Sequence, residues 1–196
     1  MVQSDETKIN HLGSDGHKWI WKKPGERLND RLVERTLKFG GDSLMMWSCM
    51  AWKGIGYATK IDGRMDGDIY LQILKDELQD FLEFYGPNPS DIIFQQDNNP
   101  KHTCKKVKEW LGEQEFRTMV WPAQSPDFNP MECVWLHLKR KLADYEEPPK
   151  GIEELWRRRT QEGWNKISAE VCQGLIESMP RRVEAVLKTK GGYTKY

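Results

Sequence analysis

The order of patterned segments predicts an α/β protein with a mixed layer structure. Three observations carry this: strand-like runs fill the first third, the hydrophobic period changes at Asp68, and strands alternate with helices from there to residue 145.

Residues 1–10 form a short, polar, partly alternating strand, and Leu12-Gly-Ser-Asp-Gly16 is a turn by composition. His17 to Lys22 is aromatic and β-branched, as a strand requires, and Pro24-Gly25 closes it. Ser43 to Trp52 is almost continuously apolar, which fits a strand covered on both faces. Tyr57 to Ile61 is the next strand. From Asp68, the residues Ile69, Leu71, Ile73, Leu74, Leu78, Phe81 and Leu82 recur at three- and four-residue steps, the mark of an amphipathic helix reaching Tyr85. Gly86-Pro-Asn-Pro89 ends it.

Asp91 to Gln96 is a short buried strand. Asn99-Pro100 carries the signal of an N-cap followed by proline in the first turn, with Val107, Trp110 and Leu111 in the helix behind it. Phe116 to Trp121 is a strand, and Pro122 to Phe128 a loop. Asn129-Pro130 repeats the start signal for a helix bearing Val134, Trp135, Leu138 and Leu142. Glu146-Glu-Pro-Pro149 is a linker or sharp turn. Helices follow over 151–166 and 168–188, and 191–196 is expected to be loose.

Composition narrows the function. With 38% hydrophobic and 31% charged residues, the 196-residue chain has the profile of a soluble globular domain. Lys+Arg and Asp+Glu are both 30, so the charge of a tight non-specific DNA binder is missing. A metal-dependent nuclease stays open, because its acids offset its bases. Cys49, Cys104, Cys133 and Cys172 are far apart with no C-x-x-C pair, which argues against a zinc or disulfide framework and for reduced intracellular thiols. No apolar run approaches 18 residues, so no membrane segment is expected. Of the nine tryptophans, Trp47, Trp52, Trp110, Trp135 and Trp156 fall at core-like positions.

Three acids stand where such a fold gathers chemistry. Asp97 follows a strand end, Glu132 lies in a first helical turn, and Asp5 lies in the first strand. Hard cations take oxygen ligands, and two of them about 3.5–4 Å apart suit phosphodiester chemistry. The residues alone leave other readings: Asn129 and Glu132 have capping-box spacing, and Asp97 could be a turn carboxylate.

Several blocks resemble the Tc-one/mariner superfamily of transposases, in its Tc-one-like branch. They are Ser4-Asp-Glu-Thr-Lys-Ile-Asn10, Gly13-Ser-Asp-Gly16, Trp21-Lys-Lys-Pro-Gly25, the stretch from Phe94 to Thr103, the stretch from Trp121 to Glu132, and the closing Lys190 to Tyr196. They occur in the family's order, and 34 residues separate Asp97 from Glu132, as in that branch. The resemblance implies a ribonuclease-H-like mixed sheet flanked by helices, with a C-terminal helical extension. It implies a catalytic and metal-binding triad of Asp5, Asp97 and Glu132 holding two Mg²⁺ or Mn²⁺ ions, with Asp5 between them. It further implies cut-and-paste transposition: water cuts at the element's ends and the freed 3′-hydroxyl attacks target DNA at a TA step.

The expected division is a catalytic core over 1–145, a helical extension of the same domain over 146–190, and a tail over 191–196. The helix-turn-helix domains that relatives carry ahead of the core are not expected in this chain. Gln3 stands where relatives have an aromatic residue, Cys133 where they often have asparagine, and the first strand is expected to be clipped and weakly anchored.

The expected partner is double-stranded DNA, both transposon ends and target, bound by a homodimer or higher oligomer when two ends are synapsed, in the nucleus or alternatively the cytoplasm. Candidate DNA contacts are Lys101, His102, Lys105, Gln124, Ser125, Arg157, Arg158 and Arg159. Each has a plainer reading: His102 as a capping or packing residue, the lysines and arginines as solvated faces, Gln124 and Ser125 as parts of a loop that aims the next helix. Asp127 reads as a turn residue. Two further functions are an inactive, domesticated fragment acting as a DNA-associated or protein-interaction module, and another ribonuclease-H-like nuclease or resolvase.

Overall fold

A computed structural model describes residues 1–11, 43–86, 88–122, 125–192 and 194. The expected turn over 12–16, the expected strand over 17–22 and Gln124 lie outside these residues.

Six strands form one mixed sheet: β1 (Val2–Asn10), β2 (Ser43–Ala51), β3 (Gly54–Ile55), β4 (Thr59–Ile61), β5 (Ile93–Gln95) and β6 (Arg117–Thr118). Their order is β3-β2-β1-β5-β6, with β4 also paired to β2. β1 is therefore the central strand and is not weakly anchored. It runs antiparallel to β2 from Gln3↔Met50 to Asn10↔Ser43 and parallel to β5 at Val2↔Phe94 and Gln3↔Gln95. Its anchorage comes from pairing on both edges, which apolar content alone does not reveal.

Strand alternation gives the sheet two cores. On one face Val2, Trp47, Cys49, Phe94 and Phe116 pack against α1 (Gly67–Ile73), α2 (Gln79–Tyr85) and α3 (Lys105–Gly112). On the other, Ile9, Leu44, Met46 and Met50 pack against Met131, Val134, Trp135 and Leu138 of α4 (Pro130–Ala143). The same core takes in Leu155 and Trp156, which follow α5 (Ile152–Glu154), with Trp164 of α6 (Gln161–Asn165) and Cys172 of α7 (Ala169–Glu177). Trp135 and Trp164 stack at 4.9 Å, and Trp164 Nε1 donates to Gly56 O at 2.8 Å, which ties these helices to the sheet.

The first helix starts at Gly67, one residue before the expected Asp68, because Asp66 caps it by accepting from the Asp68 and Ile69 N–H groups. A π-helical stretch, Leu74–Leu78, joins α1 to α2. Gly86 ends α2 in the left-handed region at φ 57°, where glycine avoids the Cβ penalty. A second π-helical stretch, Leu155–Thr160, joins α5 to α6. The expected helix over 168–188 is two, α7 and α8 (Met179–Lys188), meeting at Ser178 with Pro180 in the second one's first turn. Trp52 is 47% exposed and so leaves the core list, whereas Trp47, Trp110, Trp135 and Trp156 are buried. The strand expected over 116–121 is reduced to Arg117–Thr118. The tail is not wholly loose: Thr194 Oγ1 donates to Asp127 Oδ2 at 2.8 Å. Among the described residues, no helix is long and apolar enough to cross a membrane.

Candidate active site

Asp5 and Asp97 each lie two residues beyond the Gln3↔Gln95 pair, at the same end of neighbouring parallel strands. Asp5 shares its face with Gln3, Thr7 and Ile9, the face covered by α4. Two donors from that side converge on its Oδ2: Asn129 Nδ2 at 3.0 Å and Trp135 Nε1 at 3.1 Å. Burial, then the charges of Glu132 and Glu6, push the Asp5 carboxyl up to about 7, against the Glu6 backbone N–H and the Trp135 indole.

Glu132 sits exposed in the first turn of α4. It is not a capping-box residue. Asn129 Oδ1 accepts from Met131 N at 3.1 Å, but the Asn129 backbone N–H goes to Pro126 O at 2.8 Å and so is not available to the Glu132 carboxylate. Asn129 thus caps α4 with one amide atom and holds Asp5 with the other.

Asp97 is half-exposed on the loop after β5. Its Oδ1 accepts from Asn99 N at 2.9 Å and from His102 Nδ1. Burial raises this carboxyl, but the His102 bond, the Asn99 N–H and the charges of His102 and Lys101 outweigh it, and the group lies below the ordinary carboxylate range. The proline helix-start signal fails here. Asn99 O accepts from the His102 and Thr103 N–H groups, a turn results, and α3 begins only at Lys105.

His102 is 2% exposed, so it is an interior residue and not a DNA contact from the surface. Its Nε2 lies 2.9 Å from Glu6 Oε1, and Lys101 Nζ lies 3.2 Å from Glu6 Oε2. Burial opposes its charge, yet the bonds to Asp97 and Glu6 raise its pKa to about 9. Lys101 is likewise turned inward. Glu6, Asn129 and Trp135 are site residues that the sequence reading did not single out; the Asp5-Glu6 dipeptide and the α4 start held the only signals.

The other candidates lie outside this constellation. Lys105 is exposed and pairs with Glu109 at 3.6 Å. Arg157 pairs with Glu153, and Arg158 is exposed. Arg159 is buried: its guanidinium donates to Glu147 O at 2.6 Å and to Glu154 at 3.3 Å, over the Tyr145 ring. Ser125 precedes a 3₁₀ turn, Pro126–Phe128, which contains Asp127. Among the described residues, no three His, Cys, Asp or Glu side chains close into a metal-ligand cluster.

A mixed sheet with the strand path β3-β2-β1-β5-β6, packed by helices on both faces, is a ribonuclease-H-like fold. The chain belongs to the DDE superfamily endonucleases, whose family model matches residues 1–155. It is 36% identical over 197 residues to the Tcb2 transposase of Caenorhabditis briggsae and 35% identical over 196 residues to the Tc1 transposase of Caenorhabditis elegans. Each alignment covers all of this chain and 70% of the relative. In fold it is similar to the Mos1 mariner paired end complex with Mn, at TM-score 0.78 and 23% identity over 99% of this chain, which spans 56% of that chain. It is also similar to the Mos1 transposase catalytic domain with Raltegravir and Mg, at TM-score 0.74 and 20% identity over 99% of this chain and 85% of that one.

Proposed function

We propose that this chain is the catalytic domain of a cut-and-paste DNA transposase, in which Asp5, Asp97 and Glu132 hold two Mg²⁺ or Mn²⁺ ions. The observation that carries this reading is the charge imbalance around Asp5. Burial first, and then the charges of Glu132 and Glu6, raise its carboxyl to about 7, and among the described residues no Lys or Arg pairs with Asp5 or Glu132. The nearby cations are spent elsewhere, Lys101 on Glu6 and His102 on Glu6 and Asp97. Oxygen donors of uncompensated negative charge fit a hard divalent cation. Solved relatives in this fold carry Mn or Mg, which agrees.

The protein prepares the carboxylates unequally. Asn129 and Trp135 immobilise one oxygen of Asp5, and His102 and Asn99 immobilise one oxygen of Asp97. Each acid keeps a second oxygen without a side-chain donor among the described residues. Divalent cations there would activate the attacking oxygen and stabilise the leaving one in phosphodiester hydrolysis and in 3′-hydroxyl strand transfer at a TA step. Exposed Lys105 and Arg158, with Gln124 and Ser125 from the sequence segment that precedes Glu132, would meet the phosphate backbone of double-stranded DNA. Two synapsed ends call for two or more protomers, and the place of action is the nucleus. Residues 146–190 belong to the catalytic domain in this reading, supported by the core that Leu155, Trp156, Trp164 and Cys172 share with β1, β2 and α4.

The test is nicking of supercoiled plasmid, and joining of a 3′-hydroxyl duplex into it, with Mn²⁺ or Mg²⁺. Joining at TA, lost in Glu132→Gln, is expected. Activity that survives Asp5→Asn, Asp97→Asn and Glu132→Gln alike would sink the proposal.

A further inference from the structure

We infer that His102 is a positioning residue for Asp97, carrying a rigid link from Glu6 that fixes one Asp97 oxygen and leaves the other for the cation. This rests on the metal-site reading above and extends it to residues that hold no cation themselves.

Asp97 needs such a link. It lies past the end of β5, with no regular element until Lys105, and its side chain is half-exposed. A carboxylate on a loop must lose rotamer freedom when a cation binds, unless the protein has already fixed it. Asn99 N and His102 Nδ1 fix it, and both bond to Oδ1.

The imidazole has no freedom of its own to lose. It is 2% exposed, and its ring packs on Tyr70 with centroids 4.0 Å apart. Its backbone is pinned on both sides: His102 N donates to Asn99 O at 2.9 Å, and Gln96 Nε2 donates to His102 O at 3.1 Å. Tyr70 OH donates to Gln96 Oε1 at 2.6 Å, closing the cage. At the far end Glu6 serves as the anchor. Alternation puts it on the opposite face of β1 from Asp5, and its side chain is 8% exposed. Its Oε1 faces His102 Nε2 at 2.9 Å and its Oε2 faces Lys101 Nζ at 3.2 Å, so one oxygen holds the imidazole, the other is paired with the lysine, and neither is left for a metal ion. The dipeptide Asp5-Glu6 thus splits its work: Asp5 presents a carboxylate directly, and Glu6 orients another one through His102. Residues that orient a metal's ligands are typically worth about 10–100-fold in metal affinity.

Mn²⁺ affinity, read from the free-ion electron paramagnetic resonance signal, tests this alongside thermal melting of each variant. His102→Leu removes the donor, whereas His102→Asn places an amide N–H near the position of Nδ1. The inference expects about 10–100-fold weaker binding for His102→Leu and recovery to within a few-fold of wild type for His102→Asn, although both leave the cage underfilled. Glu6→Gln, which keeps the anchor's shape without its charge, is expected to weaken binding measurably and covers the case in which His102→Leu does not fold. Equal loss in the Leu and Asn variants would make His102 a packing residue and overturn the inference. So would unchanged affinity in His102→Leu, or in Glu6→Gln where the Leu variant fails to fold. Asp97→Asn separates the two levels: if it binds like wild type, the metal-site reading itself has failed.

Discussion

Trp135 and Asp5 meet at 3.1 Å, the indole N–H donating to the carboxylate Oδ2, so that the helix carrying Glu132 is bonded directly to the strand carrying Asp5. One side chain therefore serves both the core and the site: its ring stacks on Trp164 and its nitrogen orients an acid. Trp135→Phe keeps most of the ring and removes the donor. A hydrogen bond to a charged group contributes about 1.5–3 kcal/mol. The loss in denaturant-unfolding stability should approach that range at pH 8, where Asp5 is ionised, and be smaller at pH 5, where it is protonated. A loss independent of pH would assign the effect to packing alone.

The acidity of Asp5 makes a second prediction, for the metal-free protein. Burial and the neighbouring charges of Glu132 and Glu6 push its carboxyl up to about 7 in the folded chain, against 3.8 for an unperturbed aspartate. The folded state therefore binds the proton more tightly, and stability falls as pH rises between about 4 and 7. At about 1.4 kcal/mol per pH unit of displacement, the upper bound is on the order of 4 kcal/mol. Melting from pH 4 to 8 should show wild type losing ground to Asp5→Asn across that window. A difference flat in pH would mean that neither burial nor the charges of Glu132 and Glu6 raise the Asp5 carboxyl.

Arg182 supplies a third. Buried on α8, it donates to Ser178 Oγ at 2.8 Å, Asp127 O at 3.2 Å and Cys133 Sγ at 3.0 Å. It so joins the C-terminal helix to the turn before α4 and to the neighbour of Glu132. Arg182→Leu should cost about 1–3 kcal/mol, since Asp127 O and its neighbours lose a buried donor. It should also weaken Mn²⁺ binding at temperatures where the variant is fully folded. Lost stability with unchanged Mn²⁺ affinity would show that α8 supports the fold without positioning Glu132.

How much of this was legible in the sequence depends on how far each feature is set locally. The α4 start was readable because Asn129-Pro130 caps with its own side chain. The same dipeptide signal at Asn99-Pro100 misled, because His102 is held by Asp97 and Glu6 and the chain turns instead of coiling. The three acids are proposed from family resemblance and spacing, whereas the contacts that Glu6, Asn129 and Trp135 make around them could not be read from the sequence. Their partners are 96, 124 and 130 residues away, and only the sheet order and the α4 packing bring them together. The strength of β1 was hidden for the same reason: pairing on both edges is a property of the sheet, not of Val2 to Asn10.

The central claim is that Asp5, Asp97 and Glu132 form one divalent-cation site, and calorimetric titration of Mn²⁺ into wild type, Asp5→Asn, Asp97→Asn and Glu132→Gln tests it most directly. The account predicts saturable binding to wild type that each substitution weakens by about tenfold or more, with Glu132→Gln doing so at unchanged melting temperature because its side chain is exposed. Four indistinguishable isotherms would contradict it.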